Sequence, residues 1–179
     1  MQGKDLGVFI HAVDFAAAKH RTQRRKDEEA SPYINHPIAL ANVLANEGGV
    51  HDVDVLCAAV LHDTIEDTET TETELANLFG PRIAAIVAEV TDDKTLPKDL
   101  RKQKQVEHAP QISRAAQLVK LADKICNLRD LLRAPPAGWD ATRQAEYFLW
   151  AARVVDGLRG VHPGLEATFD ATFAQRPRG

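Results

Sequence analysis

The chain has 179 residues, 44% hydrophobic and 27% charged, which fits one globular domain with an ordinary core. Its net charge of −4 and pI near 6.0 argue against bulk electrostatic binding to nucleic acid or to an anionic membrane. No apolar run approaches the roughly 20 residues that span a bilayer, and the amino-terminal MQGKDLGVF lacks a signal-peptide pattern.

Helical periods dominate the chain in order. Residues 7–24 place Val8, Phe9, Ala12, Val13, Phe15 and Ala16 on one helix face. RRKDEEASPYINHP reads as a loop, after which Pro37 takes the first helical position of IALANVLANEGG, ending at Gly48-Gly49. Asp52 caps the next helix, VDVLCAAVLHDTIED. Thr71 and Glu74 have capping-box spacing before LANLFG. Gly80 ends that helix and Pro81 starts RIAAIVAEVT. The polar loop DDKTLPK leads to a charged helix over 99–108. Leu118, Leu121, Ile125, Leu128 and Leu132 then recur in steps of three and four. After Pro135-Pro136 a long helix covers about 139–159, and the tail has room for one more. No segment alternates as a strand would. The expected fold is all-α, a compact bundle of roughly eight to ten helices in one domain. Cys57 and Cys126 fall inside apolar helical patterns and read as core residues of a reducing compartment, so a cytoplasmic location is expected.

One stretch breaks the pattern. VDVLCAAVL is apolar at nearly every position, yet His62, Asp63, Glu66 and Asp67 follow it. Charged groups are seldom buried unless paired or bound to a metal. On a continuous helix His62 and Glu66, Asp63 and Glu66, and Asp63 and Asp67 share a face. Three carboxylates this close repel one another unless a cation or protons intervene. A solvated, capped helix end is the competing reading. His51-Asp52, by contrast, precedes an apolar run, where Asp52 has the ordinary work of an N-cap. Further ligands are on offer. Pro37 fixes His36 at a loop–helix junction, and Asp123 lies on the polar side of a leucine-studded helix with Asn127 one turn on. Imidazole with oxygen ligands suits Mn, Fe or Zn, or a Mg-like ion with fewer histidines. Spacing alone does not bring these residues together.

His36, His62-Asp63 and Asp123 follow the order H…HD…D of HD-domain metal phosphohydrolases. RRKD, PYINHPI, LHDTIEDT, VTDDKTLPK, LVKLADKICNLRDL and EYFLWA together resemble the hydrolase domain of RelA/SpoT homologues, above all the stand-alone small alarmone hydrolase type. The likeness covers about residues 8–160 of a single HD hydrolase domain taken as 1–179. Ile65 stands where Val is usual, and Cys126 where an aromatic or aliphatic residue is common. The resemblance implies one Mn²⁺ per chain held by His36, His62, Asp63 and Asp123. It implies hydrolysis of guanosine 3′,5′-bis(diphosphate), or its pentaphosphate relative, at the 3′ position, giving GDP or GTP plus pyrophosphate. The chain has no room for the synthetase domain of bifunctional relatives, so hydrolysis without synthesis is expected. By the same resemblance Arg25 and Lys26 are carried over near the base and metal, Lys98 and Arg143 towards phosphates, and Asn127 and Tyr147 towards the nucleoside.

Chemistry adds the roles of the two following acids. Glu66 is placed to orient or deprotonate an attacking water, with Asp67 sharing that role or supporting it. The substrate is polyanionic and the ligand cluster acidic, so cations must come from KHRTQRRK and DDKTLPK. Trp139 and Trp150 read as core. A phosphatase acting on NADPH or another nucleotide with the same metal site is the alternative, and a catalytically degenerate nucleotide-sensing or scaffold protein a lesser one.

Overall fold

The structure, a computed structural model, describes residues 3–177. The amino-terminal apolar stripe forms α1, Gly3–Lys19, with Ala12 and Ala16 fully buried. The expected helix over 7–24 stops at Lys19 because the next backbone groups pair elsewhere. Arg25 N–H donates to Ser31 O (2.8 Å), Tyr33 N–H donates to Gln23 O (3.1 Å), and Arg24 and Pro32 form an isolated antiparallel bridge. Arg25, Lys26 and Tyr33 of this closed loop border one cavity.

Helix α2, Asn35–Asn42, starts two residues before Pro37. Pro37 is therefore third in the helix rather than first, still within the turn whose N–H groups have no helical acceptor. A π-helical turn, Val43–Glu47, continues it. Helix α3, Val53–Leu61, is capped by Asp52, whose carboxylate accepts Asp54 N–H at 3.1 Å and pairs with Arg82. Residues Val55 to Leu61 are all buried, and α1, α2 and the later helices α6, Pro81–Val90, and α8, Arg114–Arg133, surround them.

The helix expected through residue 67 breaks after Leu61, and a short α4, Thr64–Asp67, follows. Side chains cause the break by taking carbonyls of the last turn. The His62 ring bonds Ala59 O through Nδ1 (2.8 Å), and Thr64 Oγ1 donates to Leu61 O (2.7 Å). Asp63 sits at φ −100, ψ 1, outside helical geometry.

Helix α5, Glu72–Phe79, is capped by Thr71, which accepts Glu74 N–H at 3.1 Å. The reciprocal half of the capping box is replaced by an ion pair of Glu74 with Lys19 (3.0 Å). Gly80 adopts φ +96, and α6, Pro81–Val90, begins immediately. Then come α7, Lys98–His108; α8, Arg114–Arg133; α9, Ala141–Asp156; and α10, Pro163–Phe173. Leu121, Ile125 and Leu128 of α8 are fully buried. Cys57 and Cys126 are free and buried, and burial pushes the Cys57 thiol up to about 12. Among the described residues no helix is long and apolar enough to cross a membrane.

Candidate metal centre

Three elements bring the expected ligands to one point. The start of α2 supplies His36, the end of α3 supplies His62, and the middle of α8 supplies Asp123. The two histidines are 4% and 6% exposed. One ligand atom from each of the three residues lies within 4.8 Å of the others. His36 Nε2 is 3.1 Å from Asp123 Oδ1, and His62 Nε2 is 4.0 Å from the same oxygen. Asp63 adjoins this trio through His62, its Oδ2 lying 2.8 Å from Nε2. The helix break turns Asp63 back towards His62, where Tyr33 Oη also donates to it.

The donor set fits a divalent cation. His62 Nδ1–H is committed to Ala59 O, which leaves Nε2 facing the carboxylates with its lone pair. Without a cation the cluster draws in a proton: burial disfavours charge on His62, but Asp63 and then Asp123 outweigh it and push the imidazole up to about 9. Buried carboxylates of this kind need a positive charge between them. Two imidazoles with carboxylate oxygens suit a first-row transition ion.

Neighbouring side chains support the ligands: Asn127, expected towards the nucleoside, and Lys124 and Asp130, which the sequence reading did not single out. Lys124, 3% exposed, donates to Asp123 Oδ2 (2.9 Å) and lies 4.5 Å from the Trp150 ring centre. Asn127 donates to Asp123 Oδ1 (2.6 Å). Asp130, two turns beyond Asp123, lies 3.7 Å from His36 Nδ1, too far for a hydrogen bond, and pairs with Arg25 at 2.7 Å. Its place on the Asp123–Asn127 face was the one sequence signal for it.

Glu66 and Asp67 diverge. Glu66 lines the small metal cavity of about 180 Å³ and accepts Asp92 N–H at 3.1 Å. Burial pushes its carboxyl up to about 7; the Asp92 bond opposes this, while the charges of Asp63, Asp92 and Asp67 add to it. Asp67 instead lines an adjoining cavity of about 690 Å³, held by Gln23 Nε2 (2.7 Å) and by Lys94. The two cavities share Tyr33, His36, Asn127 and Tyr147. Burial pushes Tyr147 up to about 12, so it stays a neutral phenol.

Arg25 and Lys26 line the larger cavity. Lys98 and Arg143 do not: both are exposed, and Arg143 lies 4.5 Å from the Trp139 ring centre. Trp150 belongs to the core and Trp139 packs against it, as expected, and they also border the metal cavity and the larger cavity respectively. A cavity of this volume is within the range of small-molecule sites.

The HD domain family matches residues 12–152. The guanosine-3′,5′-bis(diphosphate) 3′-pyrophosphohydrolase MESH1 of Danio rerio is 54% identical over 98% of both chains, and that of Homo sapiens 55% identical over 97% of both. The solved structure of a metazoan ortholog of SpoT that hydrolyzes ppGpp superposes with a TM-score of 0.91 at 47% identity, covering 94% of this chain and 95% of that one. The chain therefore belongs to the HD-domain family, in the branch of RelA/SpoT homologues that contains the metazoan SpoT orthologue.

Proposed function

We propose that this protein hydrolyses guanosine 3′,5′-bis(diphosphate), and its pentaphosphate relative, at the 3′ position. The products are GDP or GTP and pyrophosphate. The observation that supports this most is the junction of a buried His/Asp cluster with a nucleotide-sized cavity whose wall carries Arg25 and Lys26. His36, His62, Asp63 and Asp123 would hold one Mn²⁺. Such an ion, when bound, lowers the pKa of water and polarises a phosphoryl oxygen.

The chain's own residues supply the rest. A water oxygen bonds to the phosphorus attached at the 3′ oxygen, the P–O3′ bond breaks, and the 3′ oxygen takes a proton. Glu66 accepts the proton of the attacking water, and a carboxyl poised near 7 suits that task at neutral pH. Arg25 offers a planar fork to a diphosphate and Lys26 a point charge. Asn127 and Tyr147, on both cavity walls, orient the nucleoside at the boundary. Asp67 sits beside the polyanion site with its charge countered by Lys94, a positioning task rather than proton transfer. Lys98 and Arg143 add charge at the outside of the site.

Incubation with guanosine tetraphosphate and Mn²⁺, with product analysis and a chelator control, tests the proposal. GDP and pyrophosphate in equal amounts, abolished by chelator, are expected. Release of orthophosphate from NADPH in a parallel reaction, with guanosine tetraphosphate untouched, would replace this reading with the phosphatase one.

A further inference from the structure

A third cavity, of about 320 Å³, lies behind the metal pocket, between α7, α8 and the loop after α6. Arg101, Lys104, Gln105 and His108 face it from α7 at the three- and four-residue spacings of one helix side. Lys120 faces it from α8 and is 7% exposed.

Its polar groups are unevenly satisfied. The carboxylates on its wall already accept N–H donors: Glu89 from Ser113 (2.5 Å), Asp93 from Thr95 (2.9 Å), and Asp92 from Gln105. The cations are less fully bonded, although Asp93 is within electrostatic reach of Lys104, and Asp92, Asp123 and Glu66 of Lys120. Among the described residues, Arg101 and Lys104 make no side-chain hydrogen bond or ion pair, and Arg101 Nε is buried without a partner. Lys120 Nζ has one long contact, to Val90 O at 3.4 Å. Buried donors left unpaired are costly and rare. Gln105 Oε1, on the same wall, is an acceptor that is also buried and unpaired.

We infer that this cavity is a binding site for a phosphate-class oxoanion, distinct from the nucleotide cavity. Arg101 grips it with its guanidinium, Lys104 and Lys120 add charge, and Gln105 Oε1 accepts the proton of a hydrogen-phosphate oxygen. The buried lysine and the enclosing helices restrict the ligand to a small ion. Asp92, Gln105 and Lys120 stand on the walls of both this cavity and the metal pocket, and Asp92 N–H bonds Glu66. An anion here is therefore one partition away from the proposed base. The pyrophosphate freed in the proposed reaction belongs to this class; that physiological identity rests on the proposed function, whereas binding itself does not.

The test uses the full chain, stripped of metal, so that neither an ion nor turnover contributes. Titration calorimetry with inorganic pyrophosphate, and separately with orthophosphate, should show saturable binding of one anion per chain to at least one of them. Arg101→Gln should weaken it at least tenfold, Arg101→Lys less, and Arg25→Ala, in the nucleotide cavity, less than twofold. Lys104→Gln, at a half-exposed position, is the second variant should Arg101→Gln fail to fold, and should weaken binding at least threefold. Absence of saturable binding by either anion would overturn the inference. So would binding lost with Arg25→Ala but kept in the folded Arg101 or Lys104 variants. Guanosine tetraphosphate turnover by the Mn²⁺-loaded protein, measured separately, reports on the proposed function alone.

Discussion

Glu66 and Asp67 are adjacent in the chain but serve different cavities, and their variants should separate accordingly. Glu66→Gln keeps the shape and removes the base, so kcat should fall by about 10²–10⁴-fold with Mn²⁺ content and substrate affinity retained. In the wild type kcat/KM should rise with pH through about 7, the value to which burial lifts Glu66, and that limb should vanish in the variant. Loss of Mn²⁺ from Glu66→Gln would make Glu66 a ligand instead. The raised pKa also has a sign for stability. A carboxyl held high in the folded state contributes stability below its ordinary value near 4.5 and loses it as pH rises through about 7. Metal-free Glu66→Gln should therefore melt above metal-free wild type at pH 8, with the gain shrinking at pH 4. Asp67 is held by Gln23 and Lys94 outside the metal cavity. Asp67→Asn should therefore change KM more than kcat, and Gln23→Ala should shift KM in the same direction. A kcat loss for Asp67→Asn equal to that of Glu66→Gln would place both acids on the same water.

Elements whose signals are local were legible in the sequence. Asp52, Thr71 and the Gly80-Pro81 junction act within a few residues, and each bounds a helix where the pattern indicated. The break at His62 was not legible, because it arises from side chains competing for carbonyls in an otherwise perfect apolar helix. It matters to the site, since it turns Asp63 onto His62 and starts the short α4, on which the adjacent Glu66 and Asp67 point to different cavities. Gln23, Tyr33 and Asp130 were missed because their partners are tertiary, and Lys124 because consecutive residues on a helix do not ordinarily face each other. The docking of α10 is another tertiary event. His162 caps it by accepting Leu165 N–H at Nδ1 (3.1 Å), while Nε2–H donates to Gly48 O (2.8 Å). A Cβ at Gly48 would come within 2.9 Å of Leu44 O and 3.0 Å of Leu165. One imidazole thus joins a helix start to the end of the π turn. His162→Ala should cost roughly 1–3 kcal/mol, a lost cap plus an orphaned carbonyl. Denaturant unfolding should show a lower midpoint with kcat unchanged, because α10 supplies no residue to the metal pocket.

For the whole molecule, the metal centre is also a clamp. His36, His62 and Asp123 come from α2, the end of α3 and α8, three segments far apart in sequence that meet beside the buried core helix. An ion that binds this arrangement and not the unfolded chain adds RT ln(1 + [L]/Kd) to stability, about 2.7 kcal/mol at a hundredfold excess over Kd. For a chain of this length each kcal/mol moves Tm by about 2–4 °C. Mn²⁺ at that excess should thus raise Tm by roughly 5–11 °C, and chelator should return it to the metal-free value. His62→Ala removes a ligand from the end of α3 and should abolish the Mn²⁺ response, whatever it does to the metal-free Tm. Asp52→Ala, in the other His-Asp pair, should lower the metal-free Tm through the lost cap and keep the full response. Calorimetric melts of the three proteins, each with Mn²⁺ and with chelator, decide the matter. A Mn²⁺ shift that survives His62→Ala, or disappears with Asp52→Ala, would move the metal away from the junction of α2, α3 and α8.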